Sequence, residues 1–177
     1  PVQSGSDKIL KGMNRKHTVN SYLEVIENLR IARPDIALSG DFIVGFPGET
    51  DEDFEQTLEL VREVKYAQAY SFKYSTRPGT PAAENKNQIP EEIKSERLSR
   101  LQALLSQHQK EFMGTMVGKV LPVLLERPGR LDGQLVGRSE YLHGVHASID
   151  QAQIGDIVNL RILGADTNSL RAEFVSK

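Results

Sequence analysis

Two hydrophobic rhythms divide the chain, and they change over near Gly114. Before that point apolar runs of strand length alternate with segments whose apolar residues recur at helical spacing. After it, short alternating runs follow one another with turn residues between them. In the first part Ser6-Asp7 opens a short helix with Ile9, Leu10 and Met13 on one face. Thr18 caps a second helix, which repeats Tyr22, Leu23, Ile26 and Leu29 until Pro34 ends it. A strand is predicted over residues 36–44. Thr50 and Asp53 then have capping-box spacing ahead of a third helix, with Phe54, Leu58, Val61 and Val64 as its apolar stripe. A further strand, aromatic and alternating, covers 69–75 and is broken by Arg77-Pro78-Gly79-Thr80-Pro81. A polar connection over 82–89 leads to a long helix over about 90–116. Its buried side is predicted to be Ile93, Leu98, Leu101, Leu104, Leu105, Phe112 and Met116.

Strand and helix alternate through this part, which is the grammar of a parallel α/β sheet or barrel. Only about three βα units are present, fewer than a closed barrel requires. The second part reads as five strands, at 119–126, 133–139, 144–149, 156–163 and 170–175. Five short strands in so little chain suit a small closed antiparallel β-barrel of the oligonucleotide-binding type. The expected fold is therefore a partial α/β barrel over residues 1–113 followed by a small β-barrel over 114–177.

The run Phe42 to Val44 flows into a Gly/Pro turn that ends at Thr50, where the acidic third helix begins. Parallel α/β sheets bind ligands beyond the carboxyl ends of their strands, at junctions of this kind. Polar residues gather at those ends: Gln3, Ser4 and Ser6 at the first, Asp41 and Glu49 around the second, Tyr74, Ser75, Arg77 and Thr80 at the third. Gln and Ser there could bond a ribose or an amino-acid moiety, and Arg77 could grip a phosphate or carboxylate in bidentate fashion. The alternative is structural: Arg77 in a surface ion pair, Gln3 and Ser4 capping the next helix. The acidic cluster Asp51, Glu52, Asp53 and Glu55 lies in a first helical turn, where the macrodipole favours carboxylates.

Composition narrows the chemistry. With 38% hydrophobic residues in 177, the chain can bury a core. Its net charge is −2, from 22 basic and 24 acidic residues, so charge alone does not announce a nucleic-acid binder. Lys119, Arg127, Arg130, Arg138, Arg161 and Arg171 are candidate phosphate contacts of the second part, and carboxylates in the same segment balance them. Tyr141 could stack on a base or could be a half-buried strand residue. The four histidines are scattered, and His143 and His146 have no third ligand in view, so no metal site is predicted. Cysteine is absent, which removes disulfides, thiolate ligands and a cysteine nucleophile from this chain. No apolar run approaches the roughly 20 residues of a membrane span. Without export or disulfide signals the default location is cytoplasmic. The opening Pro1-Val2-Gln3-Ser4 lacks an initiator Met, and a piece of a longer protein is expected.

Four motifs fall in order: Pro1-Val2-Gln3-Ser4-Gly5-Ser6-Asp7, Met13-Asn14-Arg15-Lys16-His17-Thr18, Asp41-Phe42-Ile43-Val44-Gly45-Phe46-Pro47-Gly48-Glu49-Thr50, and Tyr74-Ser75-Thr76-Arg77-Pro78-Gly79-Thr80-Pro81-Ala82-Ala83. The series resembles the radical-SAM methylthiotransferases, and the segment from Gly114 resembles the TRAM domain, a small RNA-binding barrel. One departure is Thr76, where the family pattern has Pro or Ala.

The resemblance implies the carboxyl-terminal half of a radical-SAM barrel plus TRAM. The implied activity is methylthio addition to C2 of N6-isopentenyladenosine beside a tRNA anticodon. The related ribosomal-protein methylthiotransferases, or an RNA-binding module without catalysis, are the alternatives. It implies S-adenosylmethionine as methyl donor and radical source, and two [4Fe–4S] clusters in the parent, whose thiolate ligands this chain lacks. No catalytic residue is assigned within this chain. Carried over, Gln3, Ser4, Arg15 and Asp41 would border the S-adenosylmethionine pocket, the backbone of Val44, Gly45 and Phe46 would lie along its adenine, and Tyr74 and Arg77 would face the tRNA substrate. Three barrel strands without their neighbours would leave an open edge and an uncovered apolar face. Either oligomerisation or partial disorder of residues 1 to about 20 is expected from that.

Overall fold

The structure, a computed structural model, describes residues 1–175. Two compact units emerge, Pro1–His108 and the remainder from Gln109 on.

In the first unit local capping decides where each helix starts. Ser6 is extended and its hydroxyl accepts from the Ile9 amide, opening α1 (Asp7–Gly12). Thr18 does the same for α2 (Val19–Ala32) from Ser21, and Thr50 for α3 (Asp51–Val64) from Asp53, each with a reciprocal bond back to the cap. Between α2 and α3 lies β1 (Ser39–Val44), and β2 (Gln68–Lys73) follows α3. The strands pair in parallel from Ser39 against Gln68 to Val44 against Lys73. Gln3 bridges Phe42, its amide donating to the Asp41 carbonyl and its carbonyl accepting from Ile43, both at 3.0 Å.

The third strand of the expected set is thus a single parallel bridge. Its neighbours are nonetheless held: Val2 is fully buried and α1 follows directly, so the expected partial disorder of the amino terminus is not found. β1 begins later than predicted, because the Ile36 amide turns back to the Arg33 carbonyl after Pro34.

Alternation on β1 sends Phe42 and Val44 to one side. There they form a core with Phe54, Leu58 and Val61 of α3 and with Leu101 and Leu105 of α5 (Glu91–Gly114). The other side carries Asp41 and Ile43 opposite Tyr70 and Phe72, and the two aromatics are 55% and 54% exposed. This is the uncovered apolar face that too few strands produce.

Two details correct the sequence reading. Ile93 is exposed, because the first turns of α5 pack through Lys94 and Arg97 instead. The polar connection opens with a short helix, α4 (Pro81–Glu84), capped by Thr80 with proline in its first turn.

The second unit is a closed barrel of β3 (Val120–Pro128), β4 (Gln134–Ser139), β5 (Gly144–Ser148), β6 (Ile157–Ala165) and β7 (Ser169–Phe174). The order around it is β3-β4-β5-β7-β6. It is not all-antiparallel as expected: β7 returns antiparallel to β6 and so meets β5 in parallel. Alternation fixes which side chains face inward but says nothing of partner direction, so the pattern could not reveal this. Met113 and Met116 join Val123, Leu125, Leu160 and Leu170 in its core. Among the described residues no helix is long and apolar enough to cross a membrane.

Candidate active-site cleft

At the carboxyl end of β1 the chain turns on two glycines. Gly45 sits at φ +72° and Gly48 at φ +85°, in the left-handed region that side chains rarely adopt. A Cβ on Gly45 would also run into the Lys94 side chain, whose stem fills the space beside it. The turn closes on itself: the Glu49 amide donates to the Phe46 carbonyl at 2.9 Å, and the Gly45 amide donates to Glu49 Oε1 at 2.9 Å. From outside, the Gly48 amide donates to the Asn87 carbonyl. Phe46 is carried out at the tip and meets Tyr74 edge to face, with ring centres 5.3 Å apart.

Phe46 and Tyr74 wall a cleft of ≈ 910 Å³. Ile43 and Phe72 supply its apolar floor, and Gln3, Asn14, Arg15, Ser75, Arg77 and Thr80 its polar rim. Gln3 holds φ +77°, a costly backbone for a residue with a side chain, at the point where its segment meets β1. The Tyr74 hydroxyl is buried without a hydrogen-bond partner, a donor and acceptor left over at the cleft wall. Apolar plates, a few convergent polar groups and an unpaired hydroxyl are what a nucleoside-sized ligand requires.

The structure brings Gln3, Arg15, Phe46, Tyr74 and Arg77 around this one cleft. Arg77 is exposed on its rim, and no ion partner holds it among the described residues. Others are placed elsewhere. Ser4 is fully buried, with its hydroxyl 3.3 Å from that of Thr57 on α3, so it turns away from the cleft. Val44 belongs to the core beneath. Asp41 shares the strand face of Ile43, two residues before it. The amide of Gly45 is already taken by Glu49.

The acidic first turn of α3 does more than complement a dipole. Asp53 accepts from the Ser6 hydroxyl at 2.7 Å, from Lys8 Nζ at 2.6 Å and from the Thr50 amide at 2.9 Å. Lys8 also reaches the Gly48 carbonyl at 3.0 Å. One carboxylate thereby ties the amino-terminal segment to the glycine turn. Burial alone would raise its pKa, but the donors Lys8, Thr50 and Ser6 outweigh that and hold it at about 2. Because the folded value lies below an unfolded value of about 3.9, the stabilisation is complete above about pH 5 and is lost as pH falls toward 2. Asp53→Asn is expected to lower stability near neutrality by about 2 kcal/mol and to flatten the acid limb of a urea-midpoint profile. An unchanged acid limb would refute the assignment.

Sequence reading missed Arg97 and Lys94. Arg97 lies four residues before Leu101 on the apolar stripe of α5, and a charge at a core position was the available signal. It is 4% exposed and bonds Glu49 and Asp51, each at 2.7 Å.

In the barrel unit Lys119, Arg138 and Arg171 are all exposed, standing before β3, on β4 and on β7. Arg138 is paired with Glu126 at 3.3 Å. Tyr141 is half-buried and packs edge to face on Phe112. Among the described residues no grouping of His, Asp and Glu could hold a metal ion.

Comparison with known proteins places these two units. Residues 1–61 match the Radical SAM superfamily and residues 114–175 match the TRAM domain. Among curated relatives the chain is 62% identical over 173 residues to a tRNA-2-methylthio-N(6)-dimethylallyladenosine synthase of Agrobacterium fabrum. Proteins of the same name from Roseobacter denitrificans and a Ruegeria species are 60% and 59% identical. The alignments cover 97–99% of this chain but only 38–40% of those relatives.

Proposed function

We propose that this chain, whose residues 1–61 match the Radical SAM superfamily and residues 114–175 the TRAM domain, serves a tRNA methylthiotransferase. The substrate would be N6-isopentenyladenosine beside the anticodon, and the product its 2-methylthio derivative. The observation that carries the reading is the cleft at the strand ends, where Phe46, Ile43 and Phe72 offer apolar plates and Tyr74 an unpaired hydroxyl.

The Radical SAM superfamily works with S-adenosylmethionine and an iron–sulfur cluster. The cleft suits S-adenosylmethionine: Phe46 and Ile43 would flank the adenine, Gln3 would bond the ribose, and Arg15 would pair with the carboxylate. It would supply the methyl group and the radical. A cluster does not fit this chain's own side chains, because none of them is a thiolate. The two [4Fe–4S] clusters of the reading are therefore assigned to residues outside it. Arg77 on the rim and Tyr74 on the wall would face the tRNA, and Lys119, Arg138 and Arg171 would meet its phosphates. We place this work in the cytoplasm, and we expect the chain by itself to self-associate through the exposed Tyr70 and Phe72 face.

Full-length gene product, reconstituted anaerobically with iron and sulfide, should convert isopentenyladenosine-containing tRNA to the methylthio nucleoside, read by nucleoside mass spectrometry. Arg77→Ala should cut turnover of tRNA by about tenfold or more, the loss of a charge-assisted contact. No iron–sulfur absorbance and no product would sink the reading. Product on a ribosomal protein instead would shift it to the sister enzymes. Three relatives named for the tRNA activity favour the first.

A further inference from the structure

We propose that Arg97 is a positioning residue that, acting through Glu49, sets the 45–49 turn in the shape the cleft needs. The inference rests on reading that cleft as the S-adenosylmethionine site. Arg97 does not line the cleft and touches no reacting group.

The geometry is a relay. Arg97 Nη1 donates to Glu49 Oε1 at 2.7 Å and to the Glu49 carbonyl at 3.2 Å. The same Oε1 accepts the Gly45 amide at 2.9 Å. One carboxylate oxygen thus joins the first residue of the turn to a helix more than forty positions away. Arg97 Nη2 donates to Asp51 Oδ1 at 2.7 Å, and the guanidinium lies 5.7 Å from the Phe54 ring centre. These two contacts fix the plane of the fork, which a lysine could not reproduce.

Stability does not account for the pair. Arg97 and Glu49 side chains are 4% and 1% exposed, and burying two charges forfeits hydration that their attraction barely restores. Arg97 Nε is left buried without a partner. An arrangement that is incompletely satisfied and poor as a stabiliser, yet welded to a glycine turn, is explained by what that turn presents. Between the two ends it holds lies Phe46, the cleft wall. If the Gly45–Glu49 bond opens, Phe46 loses its fixed place against Tyr74.

Arg100 provides the control. It is one turn further along α5, lies 5.1 Å from the same Phe54 ring and pairs with Glu55, but it touches nothing in the turn. In full-length, cluster-reconstituted protein, Arg97→Met should weaken S-adenosylmethionine binding at least about tenfold by calorimetry. It should speed hydrogen exchange of the Gly45 and Glu49 amides by a similar factor without ligand. Arg97→Lys should recover part of both, because one ammonium can still reach Glu49. Arg100→Met, which breaks an exposed pair, should lower the melting temperature less and leave both readings unchanged. Arg97→Met that only lowers the melting temperature, with affinity and exchange intact, overturns the proposal. If native protein has no affinity for S-adenosylmethionine while the exchange effect remains confined to the Arg97 variants, the cleft reading fails and the positioning role stands.

Discussion

Phe54→Ala should destabilise the first unit by about 4 kcal/mol, within the range for truncating a buried aromatic. The ring is 1% exposed and lies where three elements meet: Phe42 and Val44 of β1, the α3 stripe, and Leu101 and Leu105 of α5. Removing it opens a cavity that these neighbours cannot fill without moving the sheet. It also unseats two guanidinium groups, since both Arg97 and Arg100 lie over its face. Urea unfolding followed by circular dichroism would give the loss, with the midpoint falling and the slope unchanged. Leucine should recover roughly half, because it restores volume but not the aromatic face. A loss under about 1 kcal/mol would mean that the core is not organised around this ring.

Gly5→Ala should be nearly as damaging, at about 3 kcal/mol, through overpacking. A Cβ there would stand 2.5 Å from Thr57 Cα and as close to the Gln56 carbonyl, both backbone of α3 and unable to rotate aside. The segment is also fastened on either side of Gly5. Its amide donates to Thr57 Oγ1 at 2.9 Å, and Ser6 bonds Asp53. To admit a methyl group the strap must lift, and Gln3 lifts with it. Ligand binding in the cleft should therefore fall along with stability. The measurements are urea unfolding and cofactor affinity on the same preparation. Full stability with a methyl at this position would contradict the close approach.

How legible all this was depended on sequence distance. The caps at Ser6, Thr18 and Thr50 were readable because each acts within three residues of itself. The β1 run and its glycine turn were readable for the same reason: an apolar strand stopping at Gly45 needs no distant partner to be seen. Gln3, Tyr74, Ser75, Arg77 and Thr80, read as polar residues at strand ends, line one cleft because parallel strands deliver their carboxyl ends to one side. Arg15 and Phe46, which also line it, were named only through the family resemblance.

What escaped was set by partners far along the chain. Ser4 looked like a ligand contact, yet it is claimed by Thr57, 53 residues on. Arg97 answers to Glu49 across 48 residues, and nothing local marks it except its place on an apolar stripe. The acidic turn of α3 read as dipole compensation, and only the fold shows Lys8 and Ser6 converging on Asp53. In the barrel, strand positions followed from alternation, whereas the parallel meeting of β5 and β7 did not.

That meeting has a kinetic side. The β5·β7 ladder joins only three residue pairs, Gly144 to His146 against Ser169 to Arg171, with residues 149–168 of the chain between its strands. The hairpins β3–β4, β4–β5 and β6–β7 close short loops and can form early, whereas this seam and the β3·β6 ladder both join residues distant in the chain. With three residue pairs against the five of β3·β6, it is the shorter of the two long-range ladders, and its opening is the less expensive one. A barrel sewn shut at one short parallel seam can breathe there, baring unpaired backbone on β5 and β7 for an instant while the rest of the ring holds its register.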